Sequence, residues 1–114
     1  MIGAGGVGLA VVQVAVAAGA TVIAVGPHGP SRAQALRHSA AQATACPLEA
    51  VREITDGHGC HVVVDTVGTG DTPGLAVGMT RPRGRVVLFG CAGAPAALDV
   101  LADGSVVGRL VITP

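Results

Sequence analysis

Along this chain, apolar residues run in unbroken β-branched stretches instead of alternating strictly with polar ones. Thr21-Val22-Ile23-Ala24-Val25, His61 to Thr66, Arg85-Val86-Val87-Leu88-Phe89 and Leu110-Val111-Ile112-Thr113 each read as a strand, the first as a buried one. Helical signals lie between them. Leu9 to Ala18 reads as a buried helix stopped by Gly19 at a C-terminal cap. Ser31 is the predicted N-cap of a helix from Arg32 to about Ser39. Ala43 to Cys46 is a weak strand ended by Pro47, and Leu48 to Ile54 is a short helix closed by Asp56-Gly57. Thr72-Pro73 opens a helix to about Met79, with Pro at a tolerated early position. Gly26 to Pro30 and Gly90 to Pro95 are loops, Arg83-Gly84 is a turn, and Ala96 to Leu101 is a helical turn.

Strands without a polar face, alternating with helices, are the signature of a parallel sheet covered on both sides. The predicted fold class is therefore α/β, with right-handed crossovers between strands. The chain has 114 residues and a mass of 11.0 kDa, which allows one domain. Half its residues are hydrophobic, yet Phe89 is the single aromatic, so the core must be built from Val, Ala, Leu and Ile.

Charge removes several classes of function. Only 12% of the residues are charged and the formal net charge is zero, which rules out an acidic tail or a nucleic-acid footprint as the main business, and low charge with high Gly and Val argues against disorder. All seven basic residues are Arg, and Lys and Asn are absent, a composition that fits a GC-rich coding bias. The nearest approach to a membrane span, Val7 to Val25, is broken by Gln13, Gly19 and Thr21, and has neither the basic start nor the cleavage pattern of a signal peptide. Cys46, Cys60 and Cys91 are odd in number and form no CxxC pair, which argues against a disulfide framework and for a reducing cytoplasm.

Gly3, Gly5 and Gly8 match G-x-G-x-x-G. In this motif the first glycine permits the tight turn out of a strand, the second lets a pyrophosphate approach the backbone, and the third lets the helix pack close to the sheet. The helix N-terminus then offers N–H groups and a positive dipole end to phosphates. Here the motif opens a predicted helix and a second strand follows, which is the context nucleotide binding requires. The alternative is a glycine-rich helix start used for packing alone.

The usual reader of an adenosine ribose is an acid at the end of the second strand. That place is taken by Gly26, and no carboxylate stands between Gly3 and Glu49. A site without the acid does not repel a 2′-phosphate. His28, Ser31 and Arg32 lie just beyond, Arg32 suited to charge-assisted hydrogen bonds, so the expectation is NADP(H) over NAD(H). The competing reading makes Arg32 an ordinary solvated residue at a helix start.

Gly3-Ala4-Gly5-Gly6-Val7-Gly8-Leu9-Ala10-Val11-Val12-Gln13, followed by Gly19 to Val25, resembles the cofactor domain of the medium-chain dehydrogenases/reductases, the zinc-type alcohol dehydrogenase family. Ala50 to Gly59 resembles that family's helix and turn before the fourth strand. Val62-Val63-Val64-Asp65-Thr66-Val67-Gly68 resembles the strand end that meets the nicotinamide side, and Arg81 to Gly90 the next turn and strand. The resemblance implies a doubly wound Rossmann-type sheet. It also implies that Gly5, Gly6 and Val7 contact the pyrophosphate, that Val67 and Gly68 line the nicotinamide ribose, and that Phe89, Gly90 and Cys91 lie near the nicotinamide. From periodicity alone, Val67 and Phe89 read as core.

The departures carry equal weight. The family's Gly-His-Glu motif and zinc ligands are absent from these residues, its first strand is reduced to Met1-Ile2, and Ala33 to Cys46 matches poorly, leaving the third strand open. The chain is expected to be a fragment of an enzyme, or a truncated gene product, with zinc only in the missing part. The complete enzyme would pass a hydride between NAD(P)H and an alcohol, aldehyde or ketone. In the order 3-2-1-4-5-6 the first strand is central, so its loss is expected to leave two unpaired edges facing a gap and to favour instability or self-association.

Other clusters carry less. His58, Cys60 and His61 fit no zinc spacing and read as turn residues. Asp65 ends a strand at the ligand edge, where a general base could stand, but no His or Lys accompanies it, so a structural or cofactor-edge role is preferred. Cys91 lacks an activating neighbour. No residue is assigned a catalytic or metal-binding role. The readings that stay open are a zinc-free quinone- or enoyl-reductase relative, a non-catalytic nucleotide-binding module, and a gene remnant.

Overall fold

The computed structural model describes residues 1–68, 70–89 and 108–113, the last for their backbone alone. In chain order the elements are α1 (Gly6–Ala17), β1 (Ile23–Val25), α2 (Gly29–Arg37), β2 (Gln42–Thr44), α3 (Pro47–Ile54), β3 (Cys60–Asp65), α4 (Thr72–Met79), β4 (Thr80–Phe89) and β5 (Gly108–Thr113). Every strand pairing between them is parallel. β1 pairs with β2, and β3 with β4 and β4 with β5.

Two residues join these halves. Ile2 forms parallel bridges to Val25 on one side and to Asp65 on the other. Ile2 N donates to Val64 O at 2.7 Å, Thr66 N to Ile2 O at 3.0 Å, Val25 N to Met1 O at 2.8 Å and Gly3 N to Val25 O at 2.9 Å. The expected gap is thus closed at the C-terminal ends of β1 and β3, because Met1 and Ile2 already supply the needed donors and acceptors. The spatial order β2, β1, Ile2, β3, β4, β5 is that of a Rossmann-type sheet.

Further down, the strands part. A cavity of about 700 Å³ lies beneath the seam, lined by Val11, Val12 and Ala15 of α1, Thr21 to Ile23, Ile54, Cys60 to Val62 and Arg81. The Met1 ammonium borders it and donates to Ile23 O at 2.8 Å. Burial pushes that amine below its ordinary pKa of 8.0, against the opposing charges of Cys60 and Asp65.

The core has two layers, one on each face. Ile2, Ile23, Val25, Val63, Val86 and Leu88 pack with Val51, Ala76 and Met79 of α3 and α4. Val22 and Ala24 pack with Ala4, Val12, Ala35 and Ala40 on the side of α1 and α2. Alternate residues of β1 thus serve opposite layers, which is why the stretch is apolar throughout.

Several elements differ from the sequence reading. α1 starts at Gly6 and is not a buried helix: only Gly8 and Val12 are buried, and Val14 is 70% exposed. α2 starts at Gly29 with His28 as its N-cap, because Pro30 fits the first turn, so Ser31 lies inside the helix. β2 is present and settles the doubtful third strand. β4 runs through the predicted Arg83-Gly84 turn as an irregularity, its register jumping from Cys60↔Thr80 to Val62↔Arg85, with Arg83 at φ 66°. The helical turn expected at Ala96 to Leu101 and the loop from Gly90 lie outside the described residues.

Candidate cofactor site

The seam places the glycine motif at the C-terminal edge of the sheet. Gly3 leaves Ile2 at φ 89°. A Cβ on Gly3 would land on Thr66 Oγ1 and stand 3.0 Å from Val67 Cγ2. A Cβ on Gly8 would land on the Gly3 carbonyl oxygen. Both positions are therefore closed to any side chain, as the motif reading expects of the first and third glycines.

Gly5 and Gly6 are different, with nothing within 4 Å of a Cβ built on either. Gly5 is the N-cap of α1 with extended ψ, no side chain caps the helix, and no acidic residue stands in its first turn. The first-turn N–H groups have no acceptor within the helix. The cradle is open and uncapped, which fits an incoming anion such as a pyrophosphate. Val7, at 57% exposure, stands beside it.

A groove of about 310 Å³ runs from Gly5 and Gly6 to Ser31, Gln34 and Arg37 on α2. Arg32 sits at the end of β1, where its Nη1 donates to Gly26 O at 2.7 Å. His28 Nδ1 and Ser31 Oγ lie 2.8 Å apart. The structure thus brings Gly26, Arg32, Ser31 and His28 together. Arg37, which the sequence reading passed over, also borders the groove; its place two turns into α2 was the available signal.

On the other side of the seam, Val67 and Gly68 follow β3. Val67 is 46% exposed, so it is not the core residue that periodicity suggested. Phe89 ends β4 at the same edge and is partly buried. Gly90 and Cys91 lie outside the described residues. Asp65 is fully buried, and its Oδ1 accepts from Val67 N at 2.9 Å and Gly68 N at 3.0 Å. Thr66 Oγ1 donates to Ile2 O at 2.9 Å.

At the opposite edge, His58 makes a turn contact and His61, in β3, meets Arg81 of β4. His58 Nδ1 lies 3.0 Å from Thr55 O, and Arg81 Nη1 donates to His61 Nε2 at 2.8 Å. Burial pushes the Cys60 thiol above its ordinary value. Among the described residues no three His, Cys, Asp or Glu side chains gather as a metal site, so these residues do not fit a zinc centre. No helix among them is long and apolar enough to cross a membrane.

A family model described as zinc-binding dehydrogenase matches residues 6–111, nearly the whole chain. The chain belongs to the zinc-binding dehydrogenase family. Solved structures agree. The alcohol dehydrogenase of the archaeon Aeropyrum pernix is 26% identical with a TM-score of 0.81 over 97% of this chain and 33% of its own. A quinone oxidoreductase from Pseudomonas syringae is 32% identical, with a TM-score of 0.75 over 97% of this chain and 35% of its own. The Escherichia coli quinone oxidoreductase, solved in complex with NADPH, is also 32% identical, with a TM-score of 0.75 over 96% of this chain and 35% of its own. No curated protein matches the chain by sequence search. The chain spans about a third of the length of these structures. Its fold is that of the Rossmann-type cofactor domain of the dehydrogenase family.

Proposed function

We propose that this chain is the cofactor-binding part of an NAD(P)-dependent oxidoreductase of alcohol dehydrogenase or quinone oxidoreductase type, and that it prefers NADP(H). Gly5, Gly6 and Val7 would meet the pyrophosphate through backbone N–H groups. Val67, Gly68 and Phe89, with Gly90 and Cys91, would border the nicotinamide ribose and ring. When bound, the nicotinamide supplies the hydride chemistry, and the protein orients it. The zinc ligands of a zinc-type enzyme would come from outside this chain. The free cysteines support a reducing cytoplasm as its place.

The observation that carries the cofactor preference is Arg32. Its guanidinium is held at Gly26 O, where an NAD site would present a carboxylate. A 2′-phosphate there would gain charge-assisted hydrogen bonds and meet no like charge. The NADPH complex of the 32%-identical quinone oxidoreductase supports the same choice. Calorimetric titration of the full chain with NADPH and NADH tests it. Arg32→Ala should weaken NADPH by about tenfold and leave NADH unchanged. An unchanged NADPH/NADH ratio overturns the preference.

The open cavity between β1 and β3 supports a further part of this reading, self-association through strand edges. Sedimentation over a range of concentrations is expected to show a dimer or larger species. A monomer that melts sharply and reversibly at every concentration would count against it. Reading the coding sequence upstream of Met1 separates the branches: a Gly-His-Glu motif with a Cys ligand marks the zinc type, and its absence the quinone-reductase type.

A further inference from the structure

The two loops at the ligand edge are locked to each other. Thr66 N and Thr66 Oγ1 both donate to Ile2 O, at 3.0 and 2.9 Å, and Gly3 lies so close that a Cβ on it would overlap that hydroxyl. Gly3 in turn lies under Gly8. Thr66 is thus wedged against the turn that opens the glycine loop. The next residue, Val67, packs on the same turn, and Gly68 follows at φ 67°.

Asp65 fixes the far side. It has no solvent exposure, its Oδ1 serves the N–H groups of Val67 and Gly68, and its Oδ2 has no hydrogen-bond partner among the described residues. Burying a carboxylate with one oxygen unmatched is expensive, and an apolar side chain of similar size would fill the space at lower desolvation cost. What Asp65 adds that an apolar residue cannot is an acceptor for two successive loop N–H groups.

We propose that Asp65 and Thr66 are positioning residues: together they hold the Val67-Gly68 loop against the Gly3 turn and so set the spacing between the pyrophosphate and nicotinamide ends of the site. This rests on the cofactor reading above. Neither side chain needs to touch the cofactor. Thr66 acts through Gly3, and Asp65 through the loop backbone.

The clamp predicts a split that a merely structural role would not give. NADPH spans both loops, whereas adenosine 2′,5′-bisphosphate ends before the nicotinamide. Asp65→Ala and Thr66→Val in the full chain should each weaken NADPH, by about tenfold and about threefold respectively, while the bisphosphate changes by less than about twofold. Asp65→Asn keeps one acceptor oxygen and Thr66→Ser keeps the hydroxyl, so both should recover most of the NADPH affinity. Thr66→Val preserves volume and carries the test if Asp65→Ala does not fold. Equal losses for both ligands, or no loss for either, overturn the clamp while leaving cofactor binding intact. A wild-type chain that binds neither ligand overturns the cofactor reading and the clamp with it.

Discussion

The gap between β1 and β3 is closed at one end and open at the other. At the C-terminal end, Met1 to Gly3 satisfy both strand edges, and every step from Gly8 to Asp65 is in contact with the next. At the N-terminal end the same strands face a cavity of about 700 Å³. At the closed end, the bridges of Ile2 to Val25 and Asp65 span the two strands just where the ligand loops emerge. Order at that edge comes from Met1, Ile2 and glycines that admit no side chain.

Substitutions at the two ends should separate these states. The largest effect is expected at Gly8→Val, whose side chain would collide with the Gly3 carbonyl and cost about 3 kcal/mol, read as a lowered urea midpoint. At the open end, enlarging a cavity-lining residue should do the reverse. Ala15→Leu is expected to raise stability by about 1 kcal/mol, and a loss would mean that the space is not available for filling. Gly5→Ala sharpens the comparison within the closed end. Gly5 has free space and a φ of −78°, but it caps α1, where Ala is disfavoured, so Ala should lower stability by about 0.5 kcal/mol while weakening NADPH measurably. Tighter or equal NADPH binding by that variant would remove Gly5 from the pyrophosphate cradle.

The smallest effect concerns pH. Burial holds the Cys60 thiol above its ordinary value of 9.0, the Met1 ammonium and Arg81 opposing. In the alkaline range the folded chain therefore binds more protons at this site than the unfolded chain. Its contribution is full below pH 9.0 and falls as pH rises through the folded value. Melting temperatures recorded from pH 8 upward should decline less steeply for Cys60→Ser than for the wild type.

The elements that local chemistry dictates were legible in the sequence. Thr72–Met79 forms the helix that Thr72-Pro73 announces, and the Val-rich runs are strands. Arg83-Gly84 turns as expected, but inside a continuous strand, because β3 pairs on both sides of the irregularity. Ser31 has the residue type of a cap but lies within α2, because Pro30 fits the first turn and the helix starts earlier. α1 looked buried because its residues are apolar, yet apolarity does not say which face finds a partner, and Val14 finds none among the described residues. At the site, the glycine motif and Arg32 were visible as residue types at a spacing. Thr66 was not, since its role arises from contact with Ile2 and Gly3 across most of the chain.

The seam at Ile2 also sorts the site residues onto two sides of the sheet. On one side lie β1 and β2 with Gly26 and Arg32; on the other lie β3, β4 and β5 with Val67, Gly68 and Phe89. A dinucleotide reaching from Arg32 to Val67 would span that division as a tie bar spans a joint. Its arrival would brace the two loop sets against each other as well as fill the groove, so that in this chain the ligand would be part of the frame.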